Sequence, residues 1–167
     1  MNIRRLIRVP KSVVTPGKWK CAAVDPQQKM GPKAFDFGSR RPFQIGKNWW
    51  WRVDKLDCNG TPGKLLIAFH LEKENYLAWL MISRDGSPVV AACLEHHGTH
   101  PGWHYHSRCG SIAEFMPNVQ RQRNEGVRIP RSDRYHRPRA YRMSQLEAIN
   151  RAYGAFRIGK KKEGEWL

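Results

Sequence analysis

The sequence predicts an α+β protein: an antiparallel sheet of about five strands, one C-terminal helix, and long irregular segments in the N-terminal and arginine-rich regions. Three observations carry this prediction. Four β-prone runs rich in Trp, Val, Ile and Leu follow one another at 48–56, 64–71, 76–83 and 88–96. Turn signals separate them: Cys58-Asn59-Gly60-Thr61-Pro62-Gly63, then 72–75, then Arg84-Asp85-Gly86-Ser87. Such punctuation reads as an antiparallel meander, and a fifth strand is expected at 103–109 after His100-Pro101-Gly102. Helical spacing is clear once, where Ser144-Gln145-Leu146-Glu147 forms a capping box ahead of Leu146, Ile149, Tyr153 and Phe156.

The remainder is read by composition. With 167 residues, one domain with a proper core is expected, spanning 1–167. Within it, 1–46 is broken by Pro10, Pro16, Pro26, Pro32 and Pro42 and should wrap irregularly, with short strands at 12–15 and 19–24. The meander then occupies 47–110, an arginine-rich arm 117–142, the helix 144–158 and a basic tail 159–167. Four cysteines lie far apart with no C-x-x-C pair, so reduced thiols and a cytoplasmic setting are expected. No run of about 18 apolar residues is present, so no membrane partner is expected.

Charge is the strongest functional signal. Thirty Lys and Arg against fourteen Asp and Glu leave +16. A surface of that sign attracts polyanions, and each neutralised phosphate adds affinity by releasing counterions. Nucleic acid is therefore the expected partner, RNA favoured over DNA, with an acidic protein partner or inhibitor as the alternative. The arm carries eight arginines against Glu125 and Asp133. From it Arg121, Arg123, Arg128, Arg131, Arg134, Arg137 and Arg139 are expected to bind nucleic acid, since arginine pairs with phosphates and stacks on bases. In Trp49-Trp50-Trp51-Arg52, Trp50 faces opposite to its neighbours and is the expected stacking platform.

Five of the seven histidines lie between 96 and 106. On a strand, alternate residues share a face, so His104, His106 and Arg108 point one way, and His97 points with Glu95 and Cys93. Hairpin register decides which sets meet. A five-residue loop puts His96 opposite His104, whereas a four-residue loop puts Glu95 opposite His104 and Cys93 opposite His106. Both arrangements remain open at this point.

Two chemistries fit the cluster. In metal-free RNA cleavage, one group removes the ribose 2′-hydroxyl proton and another protonates the departing 5′-oxygen. Imidazole suits both tasks because it titrates near neutral pH. His97, His104 and His106 then supply acid and base while Arg108 holds the phosphate, giving a small ribonuclease of toxin or defence type that needs no cofactor. Alternatively His100, His104 and His106, with His96 or His97, hold Zn²⁺ or another transition metal, as the centre of a metal-dependent nuclease or hydrolase or, completed by Cys93, Cys109 or Glu95, as a closed structural site in a non-catalytic RNA- or DNA-binding protein. H-E-x-x-H, the P-loop, G-x-G-x-x-G and G-x-S-x-G are all absent, which removes support for zincin, nucleotide-hydrolase, dinucleotide and serine-hydrolase chemistry.

Overall fold

The computed structural model describes residues 2–38, 41–98, 102–123, 125–128, 141 and 143–159. It is α+β, with one main helix and a mixed sheet of eight strands rather than about five. The strands are β1 (Lys11–Thr15), β2 (Trp49–Asp57), β3 (Pro62–His70), β4 (Tyr76–Arg84), β5 (Ser87–His96), β6 (Trp103–Ser107), β7 (Gly126–Arg128) and β8 (Ile158–Gly159). Their order across the sheet is β7-β6-β5-β4-β3-β2-β1-β8. Every neighbouring pair is antiparallel except β1 and β8, which run parallel.

The central meander β2–β6 matches its hydrophobic runs closely. The three additional strands are edge elements. β7 and β8 are three and two residues long, too short to show a periodicity of their own, and they form because the sheet edge offers unpaired backbone groups. Strand β1 extends the run expected at 12–15, while 19–24 contributes only an isolated bridge between Lys20 and Trp51.

Two helices cover one face. The main helix α2 (Gln145–Phe156) begins where the capping box predicts, with Ser144 accepting from the Glu147 amide at 3.1 Å. A second helix, α1 (Ile3–Arg8), was not expected from the irregular N-terminal composition. Six residues do not sustain a helix alone. This one is held by the Asn2 cap and by burial of Ile3 and Leu6 in the sheet–helix core with Leu65, Ile67, Tyr76, Leu80, Ala148 and Phe156. Lys11, 4% exposed, ties both helices down. Its Nζ donates to the carbonyls of Ile7, Val9 and Phe156 at 3.2, 2.9 and 2.7 Å.

The opposite face is covered by the N-terminal segment. Met30, Phe35, Phe37 and Ile45 pack on Trp51, Leu66, Trp79, Met81, Val90 and Cys93. Gly17 permits the close approach of this segment, because a Cβ there would collide with the Val53 carbonyl. Its amide instead donates to buried Asp54 at 2.7 Å.

One irregularity in β5 matters for function. Leu80 pairs with Ala92 but Met81 pairs with Val90, so an extra residue sits in β5 between them. A bulge of this kind reverses the side-chain alternation beyond it. Val90 faces the N-terminal segment, and past the bulge so do Cys93 and Glu95 rather than Leu94 and His96.

Candidate functional site

The register of β5 and β6 pairs Glu95 with His104, Cys93 with His106 and His96 with Trp103. Of the two arrangements open from sequence, the structure therefore adopts the one with Glu95 opposite His104. His96 belongs to the other face. There it is 3% exposed, stacks on Tyr141 with ring centroids 5.0 Å apart, and faces the Glu74 carbonyl through Nδ1 at 2.8 Å. Burial holds its pKa below the ordinary imidazole value. It is a packing residue.

On the opposite face Glu95 is the hub. Its side chain is 5% exposed, and Oε1 accepts the Trp79 indole N–H at 3.0 Å. The other oxygen, Oε2, is shared. His97 Nε2 lies 3.5 Å from it, His106 Nε2 3.6 Å and His104 Nε2 4.0 Å. Arg121 alone makes a hydrogen bond to it among the described residues, through a terminal guanidinium nitrogen at 2.9 Å. His104 and His106 are nearly excluded from solvent, whereas the His97 side chain is 44% exposed and forms the mouth.

The ring nitrogens of the two buried histidines have legible roles. His104 Nδ1 lies 2.7 Å from the Gly102 carbonyl. A carbonyl only accepts, so Nδ1 carries the proton and Nε2 of the neutral ring presents a lone pair. His106 Nδ1 lies 3.4 Å from Glu125 Oε1, while its Nε2 is buried without a hydrogen-bond partner. Burial, and after it the Arg121 cation, keeps the His106 pKa below its usual value. Burial likewise raises the Glu125 carboxyl. The His104 lone pair thus faces a carboxylate oxygen 4.0 Å away, a cost that a cation between them removes.

The spacing suits an ion. Ligand atoms about 2.0–2.1 Å from a tetrahedral Zn²⁺ stand about 3.3–3.4 Å from one another; His97 Nε2 is close to that separation from Glu95 Oε2 at 3.5 Å, and His104 Nε2 stands wider at 4.0 Å. The donor atoms of Glu95, His97 and His104 lie within 4.8 Å of one another, so this group can hold a metal ion. Imidazole and carboxylate donors favour a transition metal over Ca²⁺ or Mg²⁺. Glu95 and His97 stand in this group in place of the His100 and His106 expected from sequence; His100 lies outside the described residues, and His106 lies beside the group, 3.6 Å from Glu95 Oε2.

The remaining site residues are distributed as follows. Arg108 is turned to Glu114, donating to its carboxylate at 2.9 Å and its carbonyl at 3.1 Å. Trp50 is half-buried against the sheet–helix core, on the face away from Glu95, His97, His104 and His106. Arg123 is exposed, and Arg128 occupies the register position opposite Tyr105 in β7. Arg131, Arg134, Arg137 and Arg139 lie outside the described residues. Cys93 sits beneath the cluster, where burial raises its thiol pKa well above the usual value. From sequence Glu95 is marked only by the four-residue-loop register and as one of three residues able to complete a closed metal site, and nothing local marks Trp79 or Glu125.

No protein-family model, curated protein or solved structure matches this chain. No described helix is long and apolar enough to cross a membrane.

Proposed function

We propose that this chain is a nucleic-acid phosphodiesterase, acting on RNA in preference to DNA, whose Glu95–His97–His104 group holds a catalytic transition-metal ion. The observation that carries the proposal is the convergence of three donor atoms within 4.8 Å around a half-open mouth in a protein of net charge +16. When bound, such an ion polarises a phosphoryl oxygen and makes water a usable nucleophile near neutral pH. Hydrolysis then forms a bond from water oxygen to phosphorus, breaks one ester P–O bond, and returns a proton to the leaving alkoxide.

The protein's own residues do the positioning. Glu95 carries the negative charge that an ion needs, and Trp79 fixes its orientation. The Gly102 carbonyl fixes the His104 ring with its lone pair inward. The surface arginines draw in the phosphate chain.

Metal-free acid–base catalysis by His97, His104 and His106 is less well supported by the same geometry. It requires at least two imidazoles in reach of the scissile phosphate, and His104 and His106 are only 3% and 7% exposed in their side chains.

The test uses untagged protein with labelled RNA and DNA. Cleavage is expected to stop in EDTA, return with Zn²⁺ or Mn²⁺, and be lost in Glu95→Gln and His104→Ala while RNA binding persists. Cleavage that resists EDTA restores the metal-free reading. Binding without cleavage under every metal condition leaves a non-catalytic nucleic-acid-binding protein.

A further inference from the structure

Arg121 occupies an unusual position. Its guanidinium donates to Glu95 Oε2, the same oxygen that the three imidazoles approach at 3.5–4.0 Å without hydrogen-bonding to it. A divalent ion bound by Glu95 would claim that oxygen. Two cations on one partly buried carboxylate oxygen repel strongly, because little water screens them. Ion and guanidinium therefore exclude each other there.

The loop that carries Arg121 is anchored at its backbone, while the arginine side chain reaches the surface. Gln122, 5% exposed, closes the loop on itself. Its side-chain oxygen accepts from the Met116 amide at 2.6 Å, and its side-chain nitrogen donates to the Met116 carbonyl at 2.9 Å. Phe115, next to Met116, is 1% exposed and buried in the sheet–helix core. The Arg121 side chain by contrast is 44% exposed at the mouth. Glu125 Oε1 lies 3.7 Å from its Nε and keeps the guanidinium at the rim once Glu95 is taken.

We propose that Arg121 is an exchangeable cation: it neutralises Glu95 while the centre is metal-free, and the entering ion turns it outward to bind the substrate phosphodiester. The proposal rests on the metal-site reading above and adds a coupling to it. A guanidinium released toward the mouth is a bidentate phosphate ligand beside the ion. Because linkage is reciprocal, the phosphodiester in turn strengthens metal binding by drawing Arg121 away from Glu95.

The experiment titrates chelator-stripped, full-length protein with Co²⁺, read by calorimetry and by the visible bands of the ion, with and without dimethyl phosphate. If Arg121 holds the empty site closed, removing it raises apparent affinity by the reciprocal of the open fraction. Arg121→Gln is therefore expected to bind Co²⁺ roughly 10- to 100-fold more tightly than the parent. Arg121→Lys, which keeps the charge without the planar fork, is expected to fall between them. Dimethyl phosphate is expected to tighten Co²⁺ binding to the parent and to have little effect in Arg121→Gln. Equal or weaker Co²⁺ binding by Arg121→Gln, with thermal unfolding unchanged, overturns the exchange and leaves the metal site standing. Failure of parent and variants alike to take up stoichiometric Co²⁺ overturns both.

Discussion

The Trp79 indole N–H and Glu95 Oε1 are joined by a 3.0 Å hydrogen bond that divides the labour of one carboxylate. With Oε1 held from the sheet, Oε2 is the oxygen left for His97, His104, His106 and Arg121. Trp79 sits on β4 opposite Cys93, one alternation away from Glu95, so the bond runs diagonally between neighbouring strands. Both side chains are buried, and the bond is made to a charged group, which makes it stronger than a neutral one.

Trp79→Phe should preserve most of the apolar packing and remove only the donor. Metal affinity is expected to fall about 10- to 100-fold, as for other groups that orient a ligand. Stability without metal should fall by about 1–3 kcal/mol, because Oε1 loses its partner inside the protein. Calorimetric metal titration and urea unfolding of the same sample check both. An unchanged metal affinity would show that Trp79 only packs.

His104 and His96 should separate cleanly on mutation, although both are buried histidines of one hairpin. His104→Ala is expected to abolish stoichiometric metal binding. His96→Ala should leave metal binding intact and lower stability by about 1–3 kcal/mol, since it loses ring packing on Tyr141 and Trp103. Elemental analysis combined with thermal unfolding distinguishes the two. Loss of metal in His96→Ala at unchanged stability would contradict the assignment of faces.

Lys11 makes a prediction about pH. Burial lowers its pKa from 10.5 to about 8. Between those values the unfolded chain keeps the Lys11 proton while the folded protein releases it, so stability should rise with pH above about 8. Cys58 adds to this at higher pH only in the opposite sense: its thiol is raised from 9.0 to about 11, so the unfolded state loses that proton first. Burial raises the Cys93 thiol in the same sense, so a net rise of about 0.5 kcal/mol is expected between pH 7.5 and 9, followed by a decline as thiols and tyrosines titrate first in the unfolded chain. Urea midpoints across that range measure it. Lys11→Met should remove the rise and cost about 2–4 kcal/mol, because three helix-end carbonyls lose their donor. A stability that falls between pH 7.5 and 9 in the parent would refute this account.

The arginine-rich arm should govern how nucleic-acid affinity depends on salt. Replacing Arg131, Arg134, Arg137 and Arg139 together with Gln should reduce the slope of log K against log salt by about 2–4, close to one unit for each phosphate no longer neutralised. Fluorescence anisotropy with a single-stranded RNA between 50 and 300 mM salt, on the order of the range where such slopes are steep, provides the measurement. An unchanged slope would place the phosphate track elsewhere on the surface.

The outcome for the histidine hairpin explains how far a sequence reading can go. Local periodicity put β6 where it forms and set His104 and His106 on one face, because alternation within a strand is a property of the backbone alone. Pairing across the hairpin has no such local signature. Glu95 and His97, rather than His96, share the face of His104 and His106 because β6 pairs with β5 in the register Glu95 opposite His104, and the extra residue in β5 near Ala91 turns that set toward the N-terminal segment. An alanine pair in a valine- and alanine-rich strand gives no hint of that bulge. The short edge strands β7 and β8 and the helix α1 were equally silent, since none is long enough to carry a pattern.

By itself, then, the amino-acid order determined the α+β class, the central meander, the capped helix, the strong positive charge and the concentration of imidazoles in one hairpin. These follow from local propensity and from counting ionisable groups. Tertiary structure decided which imidazoles meet, that Glu95 lies at their centre, and that Arg121 returns from 26 positions away to hold it. Those juxtapositions depend on strand register, a bulge and a closed loop, where a one-residue displacement changes every neighbour while leaving local composition the same.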